Sequence, residues 1–247
     1  MKLISFIPGI FILAFNARLE AQNALFLSSG KIEFERKVNL YSQMQDMDDS
    51  WKELFQKSTP KFKTTYFNLS FSDNKTIYQP GKENADNNKL WEQPAEENVI
   101  YSDLENSQVV SQKRVFEQLF LVKDSARNIK WKITDEIKPI AGFQCRRANA
   151  IIMDSIYVVA FYTEEILTPG GPESFSGLPG MILGVALPHQ HITWFATKVQ
   201  ATQVKETEFV VPAKGKKINN ASLKETMQNS LKEWGKWGRR YIEAALL

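Results

Sequence analysis

The sequence predicts a mainly β (α+β) fold: a single antiparallel, strongly twisted sheet or open half-barrel, with a short N-terminal helix and a C-terminal helix packed on it. Three observations predict this class. Short runs of alternating apolar and polar residues recur along most of the chain, which is the period of a half-buried strand. The gaps between runs are of hairpin length, whereas a parallel crossover needs about a dozen residues or more. Helical spacing shows in only two places, near residues 48–55 and from residue 220 onward.

Residues 30–40 open the pattern, with Ile32, Phe34, Val38 and Leu40 alternating with Lys31, Glu33, Lys37 and Asn39. Asp48, Asp49 and Ser50 offer capping oxygens ahead of Trp51, Leu54 and Phe55, whose spacing suits one short amphipathic helix. Residues 61–71 alternate again, with Thr65, Phe67, Leu69 and Phe71 on one side, and Asp73-Asn74 reads as a turn into a partner strand at 76–78. The stretch 80–98, rich in Pro, Gly, Asn and charge, is expected to be a loop. Strand signals follow at 99–101, 109–111, 115–122, 129–134, 147–153, 156–162, 182–186 and 192–199. Asp124-Ser125 and Asp154-Ser155 supply turns between them, the second separating two β-branched runs as a hairpin would. Over residues 220–242 the period becomes helical through Leu223, Met227, Leu231, Trp234 and Tyr241. Gly235 and Gly238 each weaken that helix by about 1 kcal/mol against alanine.

The N-terminus bears on compartment. Lys2 precedes an apolar run from residue 3 to residue 15, and polar residues return before Ala21. This is the pattern of a secretory signal peptide over residues 1–21, leaving a single β-rich domain over 22–247. The run is shorter than the roughly 20 apolar residues a membrane-crossing helix needs, and no later segment reaches that length. The mature chain is therefore expected to lack a transmembrane segment and to be periplasmic or outer-membrane-associated. A net charge of +3, with both signs interspersed, gives no argument for nucleic acid. Cys145 is the only cysteine, which excludes an internal disulfide.

One segment stands apart: Gly170-Gly171-Pro172-Glu173-Ser174-Phe175-Ser176-Gly177-Leu178-Pro179-Gly180-Met181-Ile182-Leu183. Its glycines and prolines predict a tightly turned backbone, with positive φ at some glycines, that enters the core through an apolar strand. The segment resembles the signature of the GLPGLI family of exported Bacteroidetes envelope proteins, with Met181 in place of the second leucine. The resemblance extends to Trp131-Lys132-Ile133-Thr134-Asp135-Glu136, Gly142-Phe143-Gln144-Cys145, Ala160-Phe161-Tyr162-Thr163 and Gly30-Lys31-Ile32-Glu33-Phe34. It covers residues 30–199 and is strongest over 131–183. It implies an exported envelope protein, of a family without an established activity, associated with outer-membrane receptor loci. It also implies a family-motif role, expected to be structural, for Gly171, Pro172, Phe175, Gly177, Leu178, Pro179, Gly180, Ile182, Leu183, Cys145 and Tyr162.

Residues suited to chemistry are few. His189 and His191, two apart, would face one side of a strand and could share a zinc or copper ion, with Cys145 or Glu173 as a further ligand. The alternative is that residues 188–190 form a turn. Cys145 could act as a nucleophile with either histidine as base, Arg146 and Arg147 lowering its pKa, or be an inert buried thiol. No hydrolase elbow, zincin helix or phosphate loop is present in the sequence. The expected function is that of a non-enzymatic binding or accessory protein with no cofactor, whose partner is an apolar ligand or an outer-membrane receptor. The alternative is a metal-binding protein or metal-dependent enzyme using His189 and His191. Phe116, Phe120, Phe143, Phe161 and Phe175 are expected to line the covered face of the sheet.

Overall fold

A computed structural model describes residues 26–44, 48–85 and 93–247, without the side chain of Trp51. The expected signal peptide lies outside the described residues. Within them twelve strands run in chain order: β1 (Ser29–Asn39), β2 (Phe62–Ser72), β3 (Lys75–Pro80), β4 (Val99–Asp103), β5 (Gln108–Val115), β6 (Gln118–Ser125), β7 (Lys132–Ile140), β8 (Phe143–Ile152), β9 (Ile156–Thr163), β10 (Met181–Leu187), β11 (Ile192–Ala201) and β12 (Lys216–Ile218). Four helices accompany them: α1 (Leu40–Gln43), α2 (Asp49–Ser58), α3 (Asn220–Ser230) and α4 (Gly235–Ala245). The mainly β prediction holds.

The strands form one unclosed sheet in the order β12-β6-β5-β4-β3-β2-β1-β11-β10-β9-β8-β7. Pairings between these strands are antiparallel with one exception, the short β12, which runs parallel to β6. That exception corrects the all-antiparallel expectation. The crossover requirement is met because the long chain from β6 back to β12 passes through the other half of the sheet.

Curvature follows from one connection. Ten inter-strand steps separate β6 from β7 in the sheet order, about 48 Å along a flat sheet at roughly 4.8 Å per step. Yet β6 and β7 are consecutive in sequence, joined by residues 126–131. Even fully extended, that link reaches only about 25 Å. The sheet must therefore roll until its two flanks approach. The inside of the roll is filled by side chains: Phe34, Phe67, Phe71, Trp194 and Leu183 from the strands meet Phe175 and Leu178 from the loop before β10.

Local chemistry explains most elements. Asp48 caps α2 by accepting a bond from the Ser50 amide. β1 and β2 pair along their whole length through the turn-and-helix connection, and β8 and β9 pair from Ile152–Ile156 outward around Met153 and Asp154, both with positive φ. Three expectations are corrected. The apparent run 115–122 is the end of β5 and the start of β6, with a two-residue turn at Phe116-Glu117 where no usual turn residue stands. Asp124-Ser125 end β6 instead of turning the chain. The C-terminal helix is two helices: α3 stops at Ser230, and Gly235, at φ 53°, restarts the chain as α4 after a single 3-10 turn. Leu223, Met227 and Leu231 pack α3 on Phe120 and Val122 of β6.

Both sheet edges are protected. β12 is only three residues long, and β7 carries a bulge between Ile133 and Ile137 together with Asp135, Glu136, Lys138 and Pro139. Bulges, charges and proline are what keep an edge strand from recruiting another chain. No helix among the described residues is long and apolar enough to cross a membrane.

Candidate functional site

The motif loop before β10 folds back on itself and plugs the roll. Ile182 N donates to Gly170 O at 2.8 Å, Met181 N to Ile166 O at 3.1 Å, and Trp131 Nε1 from the β6–β7 link to Ser176 O at 2.9 Å. Gly171, Pro172, Phe175, Leu178, Ile182 and Leu183 are buried, and Gly177 and Pro179 are exposed. Tyr162 sits opposite Ile182 on β9, also buried.

Behind this loop lies a cluster of charges that the strand pattern conceals. Arg36, Lys63 and Lys113 point inward in phase with the apolar residues of β1, β2 and β5, and are 1%, 5% and 3% exposed. Buried charge is costly unless paired. Glu96 takes Lys63 at 2.8 Å and lies 3.9 Å from Arg36. Arg36 also donates to Pro94 O at 3.0 Å and lies over the Trp194 ring. Glu173, from the motif, has positive φ and accepts a bond from Asn98 Nδ2 at 2.8 Å. Burial pushes its carboxyl above the usual carboxylate range, against the opposing pull of Lys113, Asn98, Arg36 and Tyr78. Burial likewise brings Lys113 down to about 8, with Glu173 pulling the other way. Lys113 Nζ donates to Ala245 O at 3.0 Å, Arg127 to Leu246 O at 2.8 Å, and Ser174 Oγ to Leu247 O. The cluster and the motif thus pin the end of α4. Arg36, Lys63, Lys113 and Glu173 are buried and Glu96 alone of these charges reaches the groove, so the cluster acts as a brace.

On the outer side of this brace the surface opens into a groove of about 390 Å³. Its walls are the loop 93–97, the β5–β6 turn and α4, with Gln43 closing one end. Trp237 and Tyr241 are four residues apart on α4 and so share a face. Tyr241 stacks on Phe116 at 4.8 Å, and Trp234 meets Phe116 edge-on at 5.7 Å. Trp234 remains 52% exposed and Trp237 40% exposed. Polar side chains ring these aromatics: Arg114 pairs with Glu97 at 2.5 Å, and Arg240 donates to Gln43 O at 2.6 Å, tying α4 to α1. A volume of this size, with aromatic walls and few polar groups, is the usual form of a small-ligand site.

Two residues of this groove break local backbone rules. Phe116 has φ 52° and Ala95 φ 67°. A bulky residue in the left-handed region costs about 1–2 kcal/mol, and hairpin turns with positive φ at the first loop position favour glycine there. Such strain concentrates at binding sites. Phe116, expected on the covered face, is instead 47% exposed; the left-handed turn swings it out of the strand alternation. Phe120, Phe161 and Phe175 are buried as expected.

The histidines fall elsewhere. Both lie in the β10–β11 turn rather than on a strand, so the same-side argument does not apply: His189 is exposed, and His191 has φ 57° with its carbonyl bonded by Asn39 N at 2.9 Å. Burial, Arg240 and His189 all lower the His191 pKa. No group of three or more His, Cys, Asp or Glu that could hold a metal ion occurs among the described residues. Cys145 is fully buried, and its thiol is pushed up to about 12 by burial, assisted by Glu165. Arg146 and Arg147 do not activate it; Arg146 lies 4.0 Å from Asp135 and 3.8 Å from Glu164, and Arg147 pairs with Glu136 at 2.5 Å.

Comparison with known proteins adds a family match over one segment and a likeness of fold. Residues 150–184, which contain the Gly177-Leu178-Pro179-Gly180 motif, match a family described as a protein of unknown function (Porph_ging). No curated protein matches the chain. Two crystal structures of PNGF-II, in space groups C2 and P21, are similar to it with a TM-score of 0.52 each, at 14% and 15% identity. The likeness covers 80% and 77% of this chain and 32% of PNGF-II in each case. The chain therefore spans about a third of the length of PNGF-II, and the likeness is one of fold. An uncharacterized conserved protein from Thermus thermophilus is similar over 78% of this chain and 90% of its own, with a TM-score of 0.40 and 5% identity.

Proposed function

We infer that this chain is an exported, non-enzymatic binding protein of a Bacteroidetes cell envelope, of the GLPGLI type, whose groove between α4, the β5–β6 turn and the loop 93–97 holds its ligand or partner. One observation carries the reading: Trp234 and Trp237 stand half-exposed in a concave site, while the Phe116 turn beside them is held in a backbone conformation that bulky residues rarely adopt. The apolar run at residues 3–15 and the motif resemblance support export to the periplasm or outer membrane, where an outer-membrane receptor is a fitting partner. The enclosed Cys145, with its thiol held protonated by burial, argues for binding over nucleophilic turnover.

Native mass spectrometry of the full chain recovered from the periplasm of a Bacteroidetes host tests both parts. Export requires a cleaved mature N-terminus, expected just after Ala21, with Ala17 as the second choice. Binding in the groove requires a noncovalent adduct, or a photo-crosslink from position 93 to a receptor, that disappears when Trp234 and Trp237 are both replaced by alanine. An uncleaved cytoplasmic chain refutes export, and an adduct indifferent to both tryptophans refutes the groove.

A further inference from the structure

The chemistry of the groove narrows what it takes. We propose that it binds a neutral saccharide, one or two pyranose rings in size; this rests on the groove being the binding site. The walls combine two kinds of surface that a lipid tail would not use together. Trp234 and Trp237 leave about half of their large apolar surface to water, 52% and 40% exposed. Beside them stand Gln93 and the Glu97–Arg114 ion pair, while the Gln43 amide at the end of the groove donates to Gln190 O at 3.1 Å. A hydrocarbon would strip water from Gln93 and from the outer atoms of the Glu97–Arg114 pair, at a cost of about 1–3 kcal/mol for each polar atom left without a partner.

A pyranose has the matching construction. Its axial C–H bonds form a weakly positive apolar face, which suits the negative face of an aromatic ring, and its equatorial hydroxyls form a polar perimeter that both donates and accepts. Charge points to a neutral occupant. Arg114 is paired with Glu97 at 2.5 Å, Glu96 at the groove floor is taken by Lys63 at 2.8 Å, and Arg240 is engaged by Gln43 O. The rim therefore presents dipoles and engaged ions, which give an acidic ligand little to select. Size agrees: about 390 Å³ accommodates a disaccharide with room for bridging water. Rigidity agrees as well, since Tyr241 stacked on Phe116 and the Arg240–Gln43 bond fix the aromatic wall before any ligand arrives.

The test uses the full chain with chitobiose, cellobiose and maltose as saccharide probes, N-phenyl-1-naphthylamine as an apolar probe and a proline-rich decapeptide as a peptide probe. Binding is read by tryptophan fluorescence and saturation-transfer NMR. At least one disaccharide is expected to bind, with transfer strongest at its ring C–H protons. Trp237→Ala should weaken it tenfold or more, while Trp237→Tyr, which keeps a flat ring, should stay within about threefold of the wild type. If the apolar or peptide probe saturates a Trp237-dependent site and no disaccharide does, the saccharide assignment is overturned and the groove stands. If no probe binds in a Trp237-dependent way, both fall.

Discussion

Replacing Gly180 by alanine should cost far more stability than replacing Gly177, although both have positive φ and stand three residues apart in the motif. Gly177, at φ 89°, has room: a Cβ there would meet nothing nearer than Trp131 Nε1 at 3.8 Å. Gly180, at φ 132°, is pressed against β9, and its Cβ would fall 2.1 Å from Thr163 O and 2.9 Å from Thr163 C. Real contacts of this kind stop near 3 Å, so the paired backbone must move by about 1 Å in a close-packed interior. Gly177→Ala therefore carries only the conformational penalty, about 1 kcal/mol once the stiffer unfolded chain is counted. Gly180→Ala adds about 1–3 kcal/mol of overpacking to about 1–3 kcal/mol of backbone strain, roughly 4 kcal/mol in all. For a domain of this length, about 2–4 °C per kcal/mol translates these into a Tm loss of about 8–16 °C against 2–4 °C. Scanning calorimetry of the two variants at one pH decides the matter. Equal losses would show that the close approach of Gly180 to β9 contributes nothing, and would refute the account of the motif as a plug seated against that strand.

Phe116→Gly should be more stable than Phe116→Ala by about 1 kcal/mol in urea denaturation, the reverse of the usual order, because both lose the Tyr241 stack and only glycine relieves the φ of 52°; equal midpoints would remove the strain argument. Cys145 should not react with a disulfide reagent at pH 8 in the folded protein and should react fully in denaturant, since its thiol is buried and pushed up to about 12; rapid native labelling would contradict this. Lys113 releases its proton near 8 in the folded chain but near the ordinary 10.5 when unfolded. Between those values the unfolded state binds more protons, so this residue makes stability rise with pH, by about 2 kcal/mol from pH 8 to 9.5. Lys113→Met should flatten that rise, and an unchanged slope would mean that Lys113 is not the group responsible.

The sequence alone determined the local grammar. Period-two alternation located most strands but not β12, and β7 only from Lys132; Asp73-Asn74 and Asp154-Ser155 marked hairpins that form, and the 3.6-residue period found the helical C-terminal region, because each signal depends on neighbours within a few residues. Glycines of the motif read correctly as tight backbone, since only glycine tolerates φ near 130°. The turn at Phe116 is not legible in the sequence because nothing in Val115-Phe116-Glu117-Gln118 prefers a turn; tertiary contact with Tyr241 helps hold it. A partial signal existed for the charged brace: Arg36, Lys63 and Lys113 keep the phase of the buried positions in their strands. Alternation cannot say whether such a cation reaches water or a carboxylate, and the carboxylates here, Glu96 and Glu173, come from loops 33 and 60 residues further along the chain than the lysines they neighbour. The groove itself was decided only by tertiary structure. Its walls come from the loop 93–97, the β5–β6 turn and α4, separated by as much as 150 residues, and they meet because β4 pairs with β5 and the C-terminal helices pack with Val115 and Phe120 on the same flank of the sheet.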